Sequence, residues 1–196
     1  MAQLIGITGG IGSGKSEVSN ILRNLGFGVY ITDTEAKRIM QQDATIKKQI
    51  ISLFGQEAYT DSRLNNKTIA DKVFNNKPLL QQLNDIVHPA VKNDLLSWCE
   101  QQTEAIAFVE SAILFESGFD RFCSSTIAVV SPMEIRLQRT SQRDNCSRKE
   151  VERRINNQMS DQEHIRLATY TINNDSTLDN LAKKVESIVK KLTICE

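Results

Sequence analysis

Apolar residues along the chain form two kinds of pattern, and their alternation predicts an α/β fold. Short continuous apolar runs are typical of strands buried on both faces of a parallel sheet. Segments with this character are 4–8, 28–32, 106–109, 126–130 and 170–172. Between them, apolar residues recur at the spacing of one helix face, as in Val18, Ile21, Leu22 and Leu25,. We therefore expect a sheet of buried strands covered by helices.

A glycine-rich segment separates the first predicted strand from the first predicted helix. Residues 9–16, GGIGSGKS, match the phosphate-loop pattern of Gly, four residues, Gly-Lys and then Ser or Thr,. In such a loop, backbone N–H groups converge on phosphate oxygens, and the helix N-terminus adds partial positive charge. Lys15 is then expected to reach the β- and γ-phosphates of a nucleotide, and Ser16 to hold Mg²⁺. The glycine spacing does not fit the dinucleotide-binding pattern.

Asp33 directly follows the second predicted strand, at the end where open α/β sheets place their ligands,. One interpretation makes it the N-cap of a helix over Thr34–Met40. In the other, Thr32 is the cap, because Thr32 and Glu35 have the spacing of a capping box. The carboxylate of Asp33 would then lie in the first helical turn, available for chemistry, and we favour this second interpretation.

The region from Asp43 to about Leu80 shows short helical patterns and no buried strand. It predicts a helical insertion between the second and third strands of the sheet, where small-molecule kinases carry the pocket for the phosphate acceptor. A longer helical face continues from residue 79 to residue 98 through Pro89. His88, just before that proline, is either a packing or capping residue or a part of the site.

Glu110 ends the apolar run of the third strand. Enzymes with a phosphate loop often place at this position an acid that helps to orient Mg²⁺. The alternative is an ordinary solvated loop acid, and the strand pattern does not decide between them.

Basic residues are concentrated in the region after the fourth strand. Arg136, Arg139 and Arg143 share one face of a predicted helix, and Arg148, Lys149, Arg153 and Arg154 follow,. A solvated basic face and a nucleic-acid surface are two interpretations. Next to a phosphate loop, we prefer a lid that closes over a triphosphate, because arginine donates a planar fork of hydrogen bonds to phosphoryl oxygens. Closure would also exclude water.

Composition limits the classes of partner. The 196 residues carry 24 basic and 24 acidic side chains, so no global charge favours nucleic acid or a membrane surface,. The four scattered cysteines, Cys99, Cys123, Cys146 and Cys195, and only two histidines suggest neither a zinc site nor a redox pair,. No targeting or membrane-spanning pattern is seen. We expect a soluble cytoplasmic protein with small-molecule partners, either a monomer or a weak homo-oligomer.

Taken together, these residues resemble the dephospho-CoA kinase family along nearly the whole chain. The resemblance rests on residues 7–16, Asp33, His88-Pro89, Leu114-Phe115-Glu116, Arg139, Arg143-Asp144, Arg154-Ile155 and Gln158. Members of that family use ATP to phosphorylate the ribose 3′-hydroxyl of dephospho-CoA, the last step of coenzyme A synthesis. The ordered set is far more specific than the phosphate loop alone.

The resemblance implies a three-layer fold of the phosphate-loop kinase type with a five-stranded parallel sheet. Its core would comprise residues 1–33, 87–137 and 161–196. A helical insertion at 34–86 would bind dephospho-CoA, and residues 138–160 would form a lid. The implied co-substrate is ATP, with Mg²⁺.

The resemblance also implies roles for individual residues. Asp33 would be the catalytic base facing the ribose hydroxyl, and His88 would also contact the substrate. Lys15, Arg139 and Arg154 would act in catalysis, Arg154 arriving with the lid. The implied ATP-binding residues are Gly10, Gly12, Ser13, Gly14, Lys15, Ser16, Glu17, Arg139 and Arg143, with Ser16 also holding the metal. No metal role for Glu110 is carried over, because the family's usual Asp and following Pro are here Glu110 and Ala112.

Two other classes compete with this one. A nucleoside monophosphate kinase would need extra arginines for a phosphate acceptor, but Arg63 is the only arginine between residues 43 and 80. A GTP-driven switch protein would need an Asp-x-x-Gly turn and an Asn-Lys-x-Asp motif, and the sequence has neither. A hydroxyl acceptor is therefore favoured.

Overall fold

The computed structural model describes residues 2–74 and 76–194. Cys195, one of the four scattered cysteines, lies outside the described residues. By its internal contacts the chain divides into two compact units. The first comprises Met1–Tyr30 and Gln102–Glu196, and the second comprises Ile31–Gln101.

The first unit is built on a five-stranded sheet, which confirms the predicted α/β class. The strands of the chain are β1 (Gln3–Thr8), β2 (Gly28–Ile31), β3 (Tyr59–Thr60), β4 (Arg63–Leu64), β5 (Ile106–Glu110), β6 (Ser125–Val130) and β7 (Tyr170–Asn173). The order in the large sheet is β2-β5-β1-β6-β7, with β1 parallel to β5 and β6, and β6 parallel to β7. Because β1 lies in the centre, the loop that follows it emerges in the middle of the sheet edge.

Helices follow the predicted spacing of apolar residues. They are α1 (Lys15–Asn24), α2 (Thr32–Gln42), α3 (Ala44–Phe54), α4 (Asn66–Val73), α5 (Lys77–Glu100), α6 (Met133–Asp144), α7 (Arg148–Asn156), α8 (Asp161–Leu167) and α9 (Leu178–Ile194). In the first unit, α1 packs beside α9, and α8 packs on β6. Fully buried Val18 and Leu22 of α1 join Ile5 and Phe108 of the sheet in the core.

The second unit is mainly helical, with α2 and α3 packed against α5. Ile50 and Leu95 are fully buried at its centre. As the continuous apolar phase predicted, α5 runs through Pro89 as one helix. The small hairpin of β3 and β4 was not predicted, since two-residue strands are too short for a periodic signal,. The Tyr59 hydroxyl ties the hairpin to α2 by donating to the Met40 carbonyl oxygen at 2.6 Å.

Among the described residues, no helix is long and apolar enough to cross a membrane. Cys99, Cys123 and Cys146 form no disulfide with one another. Within residues 2–74 and 76–194, no cluster of three or more His, Cys, Asp or Glu side chains could hold a metal ion.

Candidate active site

The phosphate loop (residues 9–16) connects β1 to α1 and wraps around the ammonium group of Lys15. This group donates to the carbonyl oxygens of Gly9 at 2.8 Å and Gly10 at 3.3 Å. Gly14 is the N-cap of α1 and has a left-handed conformation with φ 98°, which only glycine adopts without strain. The Glu17 N–H bonds to the Gly14 carbonyl at 3.1 Å, inside the first helical turn.

Asn174 holds the loop from the side of β7. Its side-chain amide donates to the Ser13 carbonyl oxygen at 2.9 Å, and a Cβ atom on Gly14 would overlap the same amide. Its own carbonyl oxygen accepts from Ser131 Oγ at 2.7 Å and from Arg139 Nη1 at 3.5 Å. The sequence analysis did not predict this contact, since the position of Asn174 after the last predicted strand carries no signal for it. Asn174 therefore brings Arg139 next to the phosphate loop.

Glu110 is 7% exposed, so the interpretation as a solvated loop acid is wrong. Ser19 Oγ donates to one carboxylate oxygen at 2.5 Å, and Ser16 Oγ lies 3.5 Å from the other. Ser19 was missed, although it follows Ser16 by three residues and therefore shares its helix face. A serine hydroxyl beside a carboxylate is an all-oxygen donor set of the kind that Mg²⁺ accepts together with phosphate oxygens and water.

Arg136 does not belong to an exposed lid face, which corrects the prediction for this residue. It is 4% exposed; its Nε donates to the Ile11 carbonyl oxygen at 2.9 Å and its Nη1 to Asp161 at 2.8 Å. The helical spacing of the three arginines is as predicted, but the first turns of α6 pack against the phosphate loop. Exposure consequently increases along α6, from buried Arg136 through half-buried Arg139 to exposed Arg143.

Arg143 and Arg154 are brought together by Asp144. One carboxylate oxygen accepts from Arg143 Nε at 2.8 Å, and the other accepts from Arg154 Nη1 at 2.9 Å. These contacts, Arg143 first, hold the pKa of the Asp144 carboxyl below its ordinary value,. Both guanidinium groups are about half exposed to solvent, so each ion pair contributes little to stability.

Asp33 lies in the first turn of α2, in the second unit. The helix begins at Thr32, two residues before the start that a cap at Asp33 would give and one residue before the start that a cap at Thr32 would give, and its N-cap, Ile31, makes no side-chain cap bond. The predicted caps at Thr32 and Asp33 are therefore both wrong, because the chain is already helical there. Asp33 is exposed, and no hydrogen bond joins its carboxylate to any residue in 2–74 or 76–194.

His88 lies half-buried on α5. Burial lowers the pKa of its imidazole, and the nearby Asp85 charge opposes that shift in part,. Burial therefore favours the neutral form of the ring, which carries one hydrogen-bond donor and one acceptor.

A pocket of about 520 Å³ lies in the second unit between α2 and the β3–β4 hairpin. Its lining consists of Lys37, Arg38, Gln41, Gln42, Arg63, Leu64 and Asn66. Arg38 is paired with Glu35 and Asp94, whereas Lys37 and Arg63 have exposed side chains. Sequence reasoning missed the pocket because it requires the unpredicted hairpin.

Comparison with known proteins finds the same family over most of the chain. A family model described as dephospho-CoA kinase matches residues 3–180. A dephospho-CoA kinase from Bacteroides fragilis is 41% identical over 176 residues, which is 89% of this chain and 86% of the relative. A dephospho-CoA kinase from Fusobacterium nucleatum is 40% identical, covering 93% of this chain and 95% of the relative. The solved structure of a dephospho-CoA kinase from Campylobacter jejuni superposes with a TM-score of 0.71 at 25% identity, covering 98% of both chains.

Proposed function

This chain belongs to the dephospho-CoA kinase family, and on that premise we propose which of its residues carry the reaction. The enzyme transfers phosphate from ATP to dephospho-CoA, giving coenzyme A and ADP as the last step of coenzyme A synthesis. The observation that carries the residue assignments is the phosphate loop packed beside the buried Glu110 carboxylate.

The phosphate loop binds the β- and γ-phosphates of ATP. Lys15 exchanges its contacts with the loop carbonyls for phosphate oxygens, and the N–H groups at the start of α1 face the same anion,. Arg139, positioned beside the loop by Asn174, adds a further donor. Phosphoryl transfer depends mainly on positioning and on stabilising charge as it develops, which these groups supply.

Ser16 and Glu110 hold Mg²⁺ at the end of β5. When bound, the ion would neutralise part of the negative charge on the phosphates of ATP. Burial of Glu110 supports this role, because Ser16 and Ser19 orient a carboxylate that solvent hardly screens. Ser19 acts as the support that fixes the carboxylate and needs no contact with the ion.

Residues 138–160 act as a lid over ATP, and residues 34–86 as the part that binds dephospho-CoA. Arg143 and Arg154 provide the lid's phosphate contacts; Asp144 holds both of them at the junction of α6 and α7. By function, we group residues 1–33, 87–137 and 161–196 as the core, although residues 31–33 and 87–101 belong to the second compact unit by their contacts. We also propose a cytoplasmic location and a monomer or weak homo-oligomer.

Asp33 serves as the general base. A ribose hydroxyl is a poor nucleophile, and a carboxylate within hydrogen-bond reach can orient it and accept its proton. Support comes from the exposed Asp33 carboxylate, which caps no helix and bonds to no described residue. His88, neutral because burial lowers its pKa, can add a hydrogen bond to the same substrate.

The pocket beside the hairpin binds the diphosphate of dephospho-CoA. That diphosphate is doubly negative, and the pocket presents Lys37 and Arg63,. Electrostatic complementarity of this kind steers an anionic substrate as well as holding it.

The test of Asp33 is the substitution Asp33→Asn, which keeps size and hydrogen bonding but removes the basic oxygen. We expect kcat to fall by at least about 100-fold, the low end for general-base catalysis, with ADP binding and melting temperature unchanged. Asp71→Asn, an exposed carboxylate on α4 of the same unit, is the matched control. Wild-type turnover by Asp33→Asn would remove the assignment.

A further inference from the structure

The backbone of Ile11, within the phosphate loop, is held from both sides by side chains distant in sequence. Its N–H donates to Gln158 Oε1 at 2.8 Å, and its carbonyl oxygen accepts from Arg136 Nε at 2.9 Å. Successive backbone N–H groups of a phosphate loop can form a concave site for an anion. Here both polar atoms of one residue are committed to the protein itself.

Arg136 is anchored in turn by Asp161, whose carboxylate accepts from Nη1 at 2.8 Å. Arg136 is 4% exposed, so its charge would be costly to bury without this partner. Its remaining Nη2 has no partner among the described residues and lies against Gly10, where a Cβ atom would overlap it. The guanidinium is thus wedged between the phosphate loop and the N-terminus of α8.

One support of Ile11, Gln158, and the residue that anchors the other support, Asp161, lie close together in the chain. Gln158 lies between α7, which ends at Asn156, and α8, which begins at Asp161. Arg154 is four residues before Gln158 on the same stretch of chain. The side chain of Gln158 therefore links the segment that follows α7 to the phosphate loop.

We propose that Gln158 is a positioning residue for ATP, which with Arg136 and Asp161 clamps Ile11 and couples residues 157–161 to the phosphate loop. The clamp fixes the direction of the neighbouring loop amides before the nucleotide arrives, so less conformational entropy is lost on binding. The inference rests on the proposed function only in assigning ATP to this loop. Gln158 itself need not touch the nucleotide.

The test is Gln158→Met, which keeps the length of the side chain and removes the acceptor. We expect ADP with Mg²⁺ to bind about tenfold more weakly in calorimetry, the effect of one hydrogen bond lost with its partner left unmade. In steady-state kinetics, KM for ATP should rise about tenfold while KM for dephospho-CoA and kcat stay within about twofold. Gln162→Met, an exposed glutamine on α8, is the matched control.

A second variant, Asp161→Ala, removes the carboxylate that anchors Arg136 and so weakens the other support of Ile11. It should weaken ADP binding to a similar extent, so the inference can be tested even if Gln158→Met does not fold. If Gln158→Met or Asp161→Ala folds and binds ADP as tightly as Gln162→Met does, the inference is overturned. Equal increases in both KM values would also overturn it, since they would indicate general loosening. Normal ADP binding by a wild-type protein that phosphorylates no dephospho-CoA would instead refute the proposed function and leave the clamp standing.

Discussion

Replacing Glu110 with glutamine isolates the charge that we assign to magnesium binding. The substitution keeps the shape of a side chain that is 7% exposed and held by Ser19 and Ser16. One oxygen still accepts a serine hydroxyl, while the new amide can donate to the other serine. The packing at the end of β5 should therefore survive.

The expected effect on the metal is much larger than the effect on the fold. A contact made by a charged group is worth about 1.5–3 kcal/mol, which corresponds to roughly 10- to 150-fold in affinity. Stability should change by no more than about 1 kcal/mol, because the lost charge was costly to bury, and this corresponds to about 2–4 °C in melting temperature for a chain of this size.

The assay is the initial rate of ADP formation against Mg²⁺ concentration, with ATP and dephospho-CoA saturating. For Glu110→Gln, the Mg²⁺ concentration giving half-maximal rate should rise by the stated factor. Glu104→Gln is the control, since Glu104 is exposed and precedes the opposite end of β5. An unchanged Mg²⁺ requirement in folded Glu110→Gln would refute the metal role and leave Glu110 as a structural partner of the serines.

Further predictions concern the lid, the substrate pocket and pH. Arg154→Met should lower kcat by at least about tenfold, because it removes a donor to the transferred phosphate. The control is Arg153→Met, a change at the exposed neighbouring residue, which should retain the wild-type kcat. Equal kcat values for the two variants would exclude Arg154 from the transition state. Arg63→Met should raise KM for dephospho-CoA about tenfold and leave KM for ATP unchanged,. The control is Lys67→Met, a change outside the pocket. The same KM for dephospho-CoA in both variants would refute the pocket assignment. Because burial lowers the pKa of His88, the unfolded chain binds its proton more readily. The free energy of unfolding should then fall as pH drops through about 6.5, and denaturant titrations of His88→Gln should show a smaller fall; an identical pH dependence would contradict this.

The phosphate loop and the sheet were predictable because each is encoded in contiguous sequence. The loop is an unbroken eight-residue pattern, and the buried strands are continuous apolar runs that alternate with helical patterns, as is typical of a parallel sheet,. The carboxyl-terminal position of Glu110 followed from the same pattern. Its burial did not, because burial depends on α1 placing Ser16 and Ser19 beside it.

The missed features arise from contacts between distant parts of the chain. Asn174 and Ser13 are 161 residues apart, and Gln158 and Ile11 are 147 apart. Helical spacing correctly placed Arg136 and Arg139 on one face of α6. It could not indicate that the first turns of α6 pack against the phosphate loop. The cap before α2 was wrong for a local reason, since Thr32 and Asp33 are as acceptable in a first turn as at a cap,.

The most direct test of the account follows ATP consumption and product mass with four acceptor conditions: dephospho-CoA, adenosine monophosphate, cytidine monophosphate and none. We expect ADP release and a gain of one phosphate with dephospho-CoA alone, on the ribose 3′-hydroxyl. Turnover only with a nucleoside monophosphate would contradict it. In that case the phosphate loop would keep its role, and the assignments of the acceptor and of Asp33 would fall.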